Sequence, residues 1–130
     1  MTLIVLDASA VLAALAGEPG ADAVNAVLPN AVISAVNLTE VGAKLAERGM
    51  GEDEIRTTIG MLGLSVVAFD EDDAYAAAIL RMRTRGHGLS LGDRVCLALG
   101  IAKGAAIMTA DRSWARLEIG ADVRLIRGTA

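Results

Sequence analysis

Aromatic side chains are nearly missing from this sequence: Phe69, Tyr75 and Trp114 make up 2% of 130 residues. A platform that stacks successive nucleobases needs several aromatic faces, so that class of binder is excluded. Cysteine occurs once, at Cys96, which allows neither an internal disulfide nor a zinc site of its own. No apolar run reaches the roughly 18–20 residues that span a bilayer, so no membrane role is expected. The first residues lack the basic stretch and cleavage site of a secretory signal, and the cytoplasm is the expected location. Linkers, repeats and low-complexity tracts are missing too. Residues 1–130 are therefore expected to form one domain, long enough for a proper core.

What is present is aliphatic. Hydrophobic residues make up 54% of the chain, much of it Ala, Val, Leu and Ile. Such small side chains suit helices packed tightly on a sheet. Residues 2–6, 31–34, 64–69, 105–109 and 123–126 read as short strands, the last of them at an edge. Helices are predicted over 8–16, 21–28, 37–48, 52–62, 70–85 and 90–103, with a short one beginning at Asp111. Within 70–85, Tyr75, Ile79 and Met82 are expected on the inner side. The helix over 90–103 is apolar nearly all round and should be central. Alternating strands and helices imply a three-layer α/β/α sandwich around a mostly parallel sheet of four to five strands.

The net charge is −4, from 16 acidic and 12 basic residues, and it is unevenly spread. Residues 1–80 set Lys44, Arg48 and Arg56 against twelve acids. Residues 81–130 set nine basic residues against Asp93, Asp111, Glu118 and Asp122. This fits either a solvated helix face with a basic tail or a side that meets a polyanion.

Four acids raise a sharper question. Asp7 ends the first strand, in LIVLDASAV, and Asp111 follows the fourth, in MTADRSW. Ligands of open α/β sheets bind beyond the carboxyl ends of the strands, where strand order reverses. Yet each aspartate also suits a helix N-cap. Glu40 in NLTE, with Asn37 as cap, and Asp93 in SLGD, with Ser90 as cap, fit capping boxes. Asp70 and Asp73 in FDEDD show the same pattern with no other sign of chemistry nearby. Singly, none of the four acids distinguishes a cap from a ligand. Together, helices entered from one edge of a parallel sheet would bring all four to that edge. Clustered carboxylates repel unless neutralised, and the fitting neutraliser is a hard divalent cation such as Mg²⁺ or Mn²⁺. Setting these four aside leaves twelve acids against twelve bases, so the net charge equals the candidate site.

The segments VLDASA, NLTE, LSLGDRVCLALGIAKG and MTADRSW, in this order and spacing, resemble the PIN-domain family. The likeness is strongest to the VapC-type toxins of toxin–antitoxin pairs, and it spans essentially the whole chain. It implies a PIN-like fold and a Mg²⁺- or Mn²⁺-dependent endoribonuclease. By motif, Asp7, Glu40, Asp93 and Asp111 match the family's metal-binding and catalytic acids. Ser9 and Thr109 match small hydroxyl residues that would hold the carboxylates. Arg94 departs from the family, which often has alanine directly after the third acid. Arg94 and Arg112 either hold substrate phosphate or balance the carboxylates. The resemblance further implies RNA as substrate, a small antitoxin as partner and a homodimer. Three other readings stand beside the toxin: a non-toxin PIN nuclease, an aspartyl-phosphate enzyme built on Asp7, and a catalytically silent acidic binding module. Against the second, position 9 carries serine where such phosphatases have another aspartate.

Overall fold

The computed structural model of this chain describes residues 2–128. Five strands form one all-parallel sheet: β1 (Ile4–Leu6), β2 (Ala31–Ser34), β3 (Ser65–Val67), β4 (Ala106–Thr109) and β5 (Asp122–Leu125). Their order across the sheet is β3-β2-β1-β4-β5. The chain thus builds outward from β1 to β3, returns, and builds the other half from β4. The switch point lies between β1 and β4, where Val5 is in register with Ile107.

The pleat sends alternate residues to opposite faces. Val5, Val32 and Ile107 meet α5 (Glu71–Arg83) and α6 (Leu91–Lys103). Ile4, Leu6 and Ile33 meet α1 (Ala8–Ala16), α2 (Ala21–Val27) and α3 (Ala35–Glu47), with Ile55 and Ile59 of α4 (Glu52–Gly60) packed behind them. These are the three expected layers, with helices on both faces of the sheet. Helix α6 is the central one, buried from Val95 to Gly100. Gly100 lets it lie directly on β4, because a Cβ there would overlap the Ile107 side chain. Trp114, in a 3-10 turn over Arg112–Arg116, is 1% exposed and packs against the same cluster.

Two local expectations are corrected. Helix α3 begins at Ala35, two residues early, because Ser34 is its N-cap and accepts the Val36 N–H at 3.2 Å. Asn37 therefore lies inside the first turn, and Glu40 stands in the second turn, outside any capping box. Helix α5 turns a different face inward: Ala77, Leu80 and Thr84 are buried, while Tyr75, Ile79 and Met82 are each more than 60% exposed. The cause is helix–helix packing. Small Ala77 lets α5 approach α6 closely, and the larger side chains are left outside.

Helices α5 and α6 run antiparallel. Ala77 and Arg81 lie beside Leu91 and Val95, whereas Asp73 and Ala76 lie beside Ala98 and Ala102. The start of α5 thus lies away from the start of α6. Asp70 and Asp73 do form a capping box, but not beside Asp93.

Candidate metal centre at the sheet switch point

Asp7 is delivered by β1 to the carboxyl edge of the sheet and is 6% exposed. It caps α1, with Oδ1 accepting the Ala10 N–H at 2.9 Å. The Ser9 hydroxyl donates to the same carboxylate at 2.7 Å, and the Thr109 hydroxyl donates to Oδ2 at 2.6 Å. Both hydroxyls in turn accept backbone N–H groups from the loop leaving β4. Ser9 accepts from Ala110 at 2.9 Å and Thr109 from Asp111 at 3.0 Å. Ser9 and Thr109 thus relay the dipoles of one loop onto a carboxylate a hundred residues away in sequence. Chains of this kind polarise each bond in turn.

Burial still dominates. It pushes the Asp7 carboxyl up from 3.8 to about 6, against the pull of the Thr109, Ala10 and Ser9 donors, and the charge of Asp93 adds to the rise.

Asp93 stands in the first turn of α6. Its Oδ2 accepts the Ser90 N–H at 3.0 Å, and the Ser90 hydroxyl accepts the Asp93 N–H at 3.1 Å. The expected capping box is real, and it occupies one carboxylate oxygen. Glu40 has no cap to make. Its Oε1 accepts from the Asn37 side-chain amide at 2.8 Å. One turn into α6 sits Cys96, fully buried, whose thiol is pushed well up by burial and further by the charges of Asp7, Asp93 and Glu40. Glu40 lies against Gly92, one residue before Asp93, at the start of α6.

Asp111 stands apart. It is exposed, caps the 3-10 turn, and accepts both the Ser113 N–H at 3.0 Å and the Ser113 hydroxyl at 2.7 Å. It adjoins the group only through its N–H bond to Thr109. Arg94 reaches toward α5, where it lines a groove of about 520 Å³ with Arg81, Phe69 and Leu91, and its Nε is buried without a partner. Arg112 is exposed and lies against Gly128.

Asn37 and Gly92 lie against Glu40, and Ser113 bonds Asp111, so three residues join the sequence-predicted acids. Asn37 was legible as a polar residue three positions before Glu40. Gly92 was legible as a glycine inside a helix directly before an acid. Nothing in the sequence marked Ser113.

The donor set fits a hard divalent cation. All four acids offer oxygen, and among the described residues none has a lysine or arginine within ion-pair distance. The buried Asp7 carboxylate thus lacks a positive partner. As the side chains stand, no three described His, Cys, Asp or Glu residues form a finished coordination group.

The fold is an all-parallel α/β domain with a buried carboxylate, Asp7, at the switch point of its sheet, where ligands of open α/β sheets bind. The chain belongs to the PIN domain family, whose profile matches residues 4–120. Curated protein sequences give no match. Solved structures do. DNA-bound VapBC from Salmonella typhimurium is similar with a TM-score of 0.77 and 16% identity, covering 98% of this chain and 100% of that one. VapBC2 from Rickettsia felis, bound to a promoter DNA fragment, gives 0.75 and 15% identity over 95% and 98% of the two chains. Mycobacterium tuberculosis VapC20, a toxin that cleaves the sarcin–ricin loop, gives 0.68 and 19% over 91% and 98%. At these identities the likeness establishes the shared fold.

Proposed function

We propose that this protein is a divalent-metal-dependent endoribonuclease, the toxin of a toxin–antitoxin pair. The observation that carries the reading is the Glu40 carboxylate lying on the α6 backbone at Gly92, directly before Asp93, with buried Asp7 at the same sheet edge and, among the described residues, no basic side chain within ion-pair distance of any of the three. The toxin assignment draws on the VapBC and VapC folds that this chain resembles.

Asp7, Glu40 and Asp93 would hold Mg²⁺ or Mn²⁺, and Asp111 would join them directly or through water. When bound, such an ion polarises a phosphoryl oxygen and makes an attacking water acidic. The chain's own residues do the rest. Ser9 and Thr109 hold the Asp7 carboxylate in one orientation. Ser90 fixes Asp93 through its N–H and leaves Oδ1 free. Arg81 and Arg94, in one groove beside the start of α6, would meet RNA phosphates, as would the exposed Arg112. Leu91, 63% exposed at the same rim, offers an apolar contact.

Two partner surfaces accompany this reading. An apolar groove of about 810 Å³ between α3 and α4, lined by Leu38, Ile55, Ile59 and Leu64, opens two residues from Glu40 and suits an apolar segment of an antitoxin. The exposed face of α5 suits a second copy. Glu71 and Asp72 stand in the first turn of this helix and Arg83 in its last, so two copies laid antiparallel match acid with base around Tyr75, Ile79 and Met82.

The test is cleavage of RNA by purified protein with Mn²⁺ or Mg²⁺. Asp93→Asn and Glu40→Gln are each expected to lose at least a hundredfold in rate. Full activity with unchanged Mn²⁺ affinity in either variant would sink the assignment. No activity in EDTA-treated wild type, restored by Mn²⁺, is the companion result.

A further inference from the structure

We propose that Asn37 is the positioning residue of this site. It clamps the Glu40 carboxylate against α6, and Gly92 leaves the space in which that carboxylate lies. This rests on the metal-dependent reading given above, through Glu40 as a ligand.

Asn37 is 1% exposed, at the third position of α3. Its amide makes two bonds, both as donor: to Glu40 Oε1 at 2.8 Å and to the Gly92 carbonyl of α6 at 3.0 Å. Each partner is an acceptor only, so the orientation of the amide is fixed. Turning it over would set an oxygen against two oxygens. The remaining atom, Oδ1, is buried with no partner among the described residues. An unpaired buried acceptor is a net cost. An apolar side chain of the same size would avoid it, so packing does not account for an amide here. What the amide alone supplies is a pair of N–H groups at the contact between α3 and α6.

Gly92 completes the arrangement from the other side. A Cβ at this position would overlap the whole Glu40 carboxylate group. Gly92 keeps a negative φ, since it is not among the glycines with positive values, so glycine is not required there by the backbone. Space is the requirement. The Glu40 carboxylate rests on the α6 backbone immediately before Asp93. One of its oxygens, Oε1, is held by Asn37, and the other remains available. The two helices are tied at the point where Glu40 and Asp93 must keep a fixed separation. Hydrogen bonds that orient a ligand in this way commonly account for ten- to hundredfold in metal affinity.

The test uses Mn²⁺ alone, titrated calorimetrically into full-length protein, with thermal melts in EDTA alongside. Asn37→Leu keeps the branched shape, with somewhat more bulk, and removes both donors. Asn37→Asp keeps the shape and replaces donors with acceptors. Both are expected to weaken Mn²⁺ binding by roughly ten- to hundredfold. The effect should act through Glu40. In a Glu40→Gln background, Asn37→Leu is expected to cause no further loss of affinity, while any change in melting temperature persists. Asn37→Ser, smaller and polar, serves if the leucine variant does not fold, with the same expectation. Normal Mn²⁺ affinity in the Asn37 variants, beside a weakened Glu40→Gln, would overturn the positioning role alone. Losses that add in the double variant would also overturn it. Normal affinity in Glu40→Gln itself would overturn the underlying ligand reading, and the positioning role with it.

Discussion

At pH 7 the Asp7 carboxylate is ionised in surroundings that favour its protonated form. Its folded-state value, about 6, lies above the ordinary 3.8, so the folded protein binds the proton more tightly than the unfolded chain does. The stability this contributes is complete below about pH 4 and is lost as pH rises through 6. The cost of keeping Asp7 charged above that range is about 2–3 kcal/mol. Asp7→Asn in EDTA is therefore expected to be the more stable protein at pH 7.5, with the advantage shrinking toward pH 4. Urea denaturation across pH measures it, and equal stability at every pH would refute it. The asparagine oxygen still accepts from Ala10, and the Ser9 and Thr109 hydroxyls can turn to accept. Thr109→Val acts oppositely. It removes a donor to Asp7 and leaves the Asp111 N–H unpaired, and is expected to destabilise by about 1–3 kcal/mol. Thr109→Ser, keeping the hydroxyl, should lose much less in the same denaturation experiment. Asp7 was legible in the sequence because an apolar strand that ends on a carboxylate is unusual. Asn37 was legible only as a polar residue near Glu40 and not in its role, because Ser34 and Asn37 are both good caps and moving the cap three residues back to Ser34 puts Asn37 inside the helix.

Helix α5 separates what periodicity reveals from what it leaves open. The spacing of Tyr75, Ile79 and Met82 marks one stripe of a helix, and the stripe exists. Its direction depends on α6, a partner twenty residues away, and the face with Ala77 and Leu80 packs closer. The strands were easier to read, because short apolar runs bounded by glycine, proline and acids have no competing fate in an α/β chain. The FDEDD segment was ambiguous for a related reason. A capping box looks the same from sequence wherever its helix starts, and only the antiparallel α5–α6 packing separates Asp73 from Asp93. If the outer stripe of α5 joins two copies, Ile79→Asp at its centre should convert a dimer to a folded monomer in sedimentation equilibrium, and its melting temperature, unlike the wild type's, should not rise with protein concentration. A wild-type protein that stays monomeric at 100-fold the working concentration would refute the arrangement. Charge should matter too, since the acid-to-base match at the two helix ends weakens with salt.

Across the whole molecule, the sheet order brings together residues that the chain keeps far apart. Asp7 and Thr109 bond across the switch point, and α3 and α6 carry Glu40 and Asp93 to the same edge from different layers. No segment of the unfolded chain can reproduce that grouping, so a cation that binds there binds the folded state selectively. Such binding stabilises by about 2.7 kcal/mol at a hundred times its dissociation constant. For a domain of this size the expected rise in melting temperature is roughly 5–10 °C. Wild-type protein melted in EDTA and again in excess Mn²⁺ should show it. Asp93→Asn should lose the shift. The informative comparison is Asp73→Asn. Asp73 and Asp93 make the same capping box, each accepting its cap residue's N–H at 3.0 Å. Replacing either should cost a similar amount of helix-end stability, about 1 kcal/mol, in EDTA. If caps were all these acids supplied, the two variants would respond to Mn²⁺ alike. Retention of the shift in Asp73→Asn and its loss in Asp93→Asn would show that one of two identical caps also faces a cation, because the fold sets Asp93 beside Asp7 and Glu40.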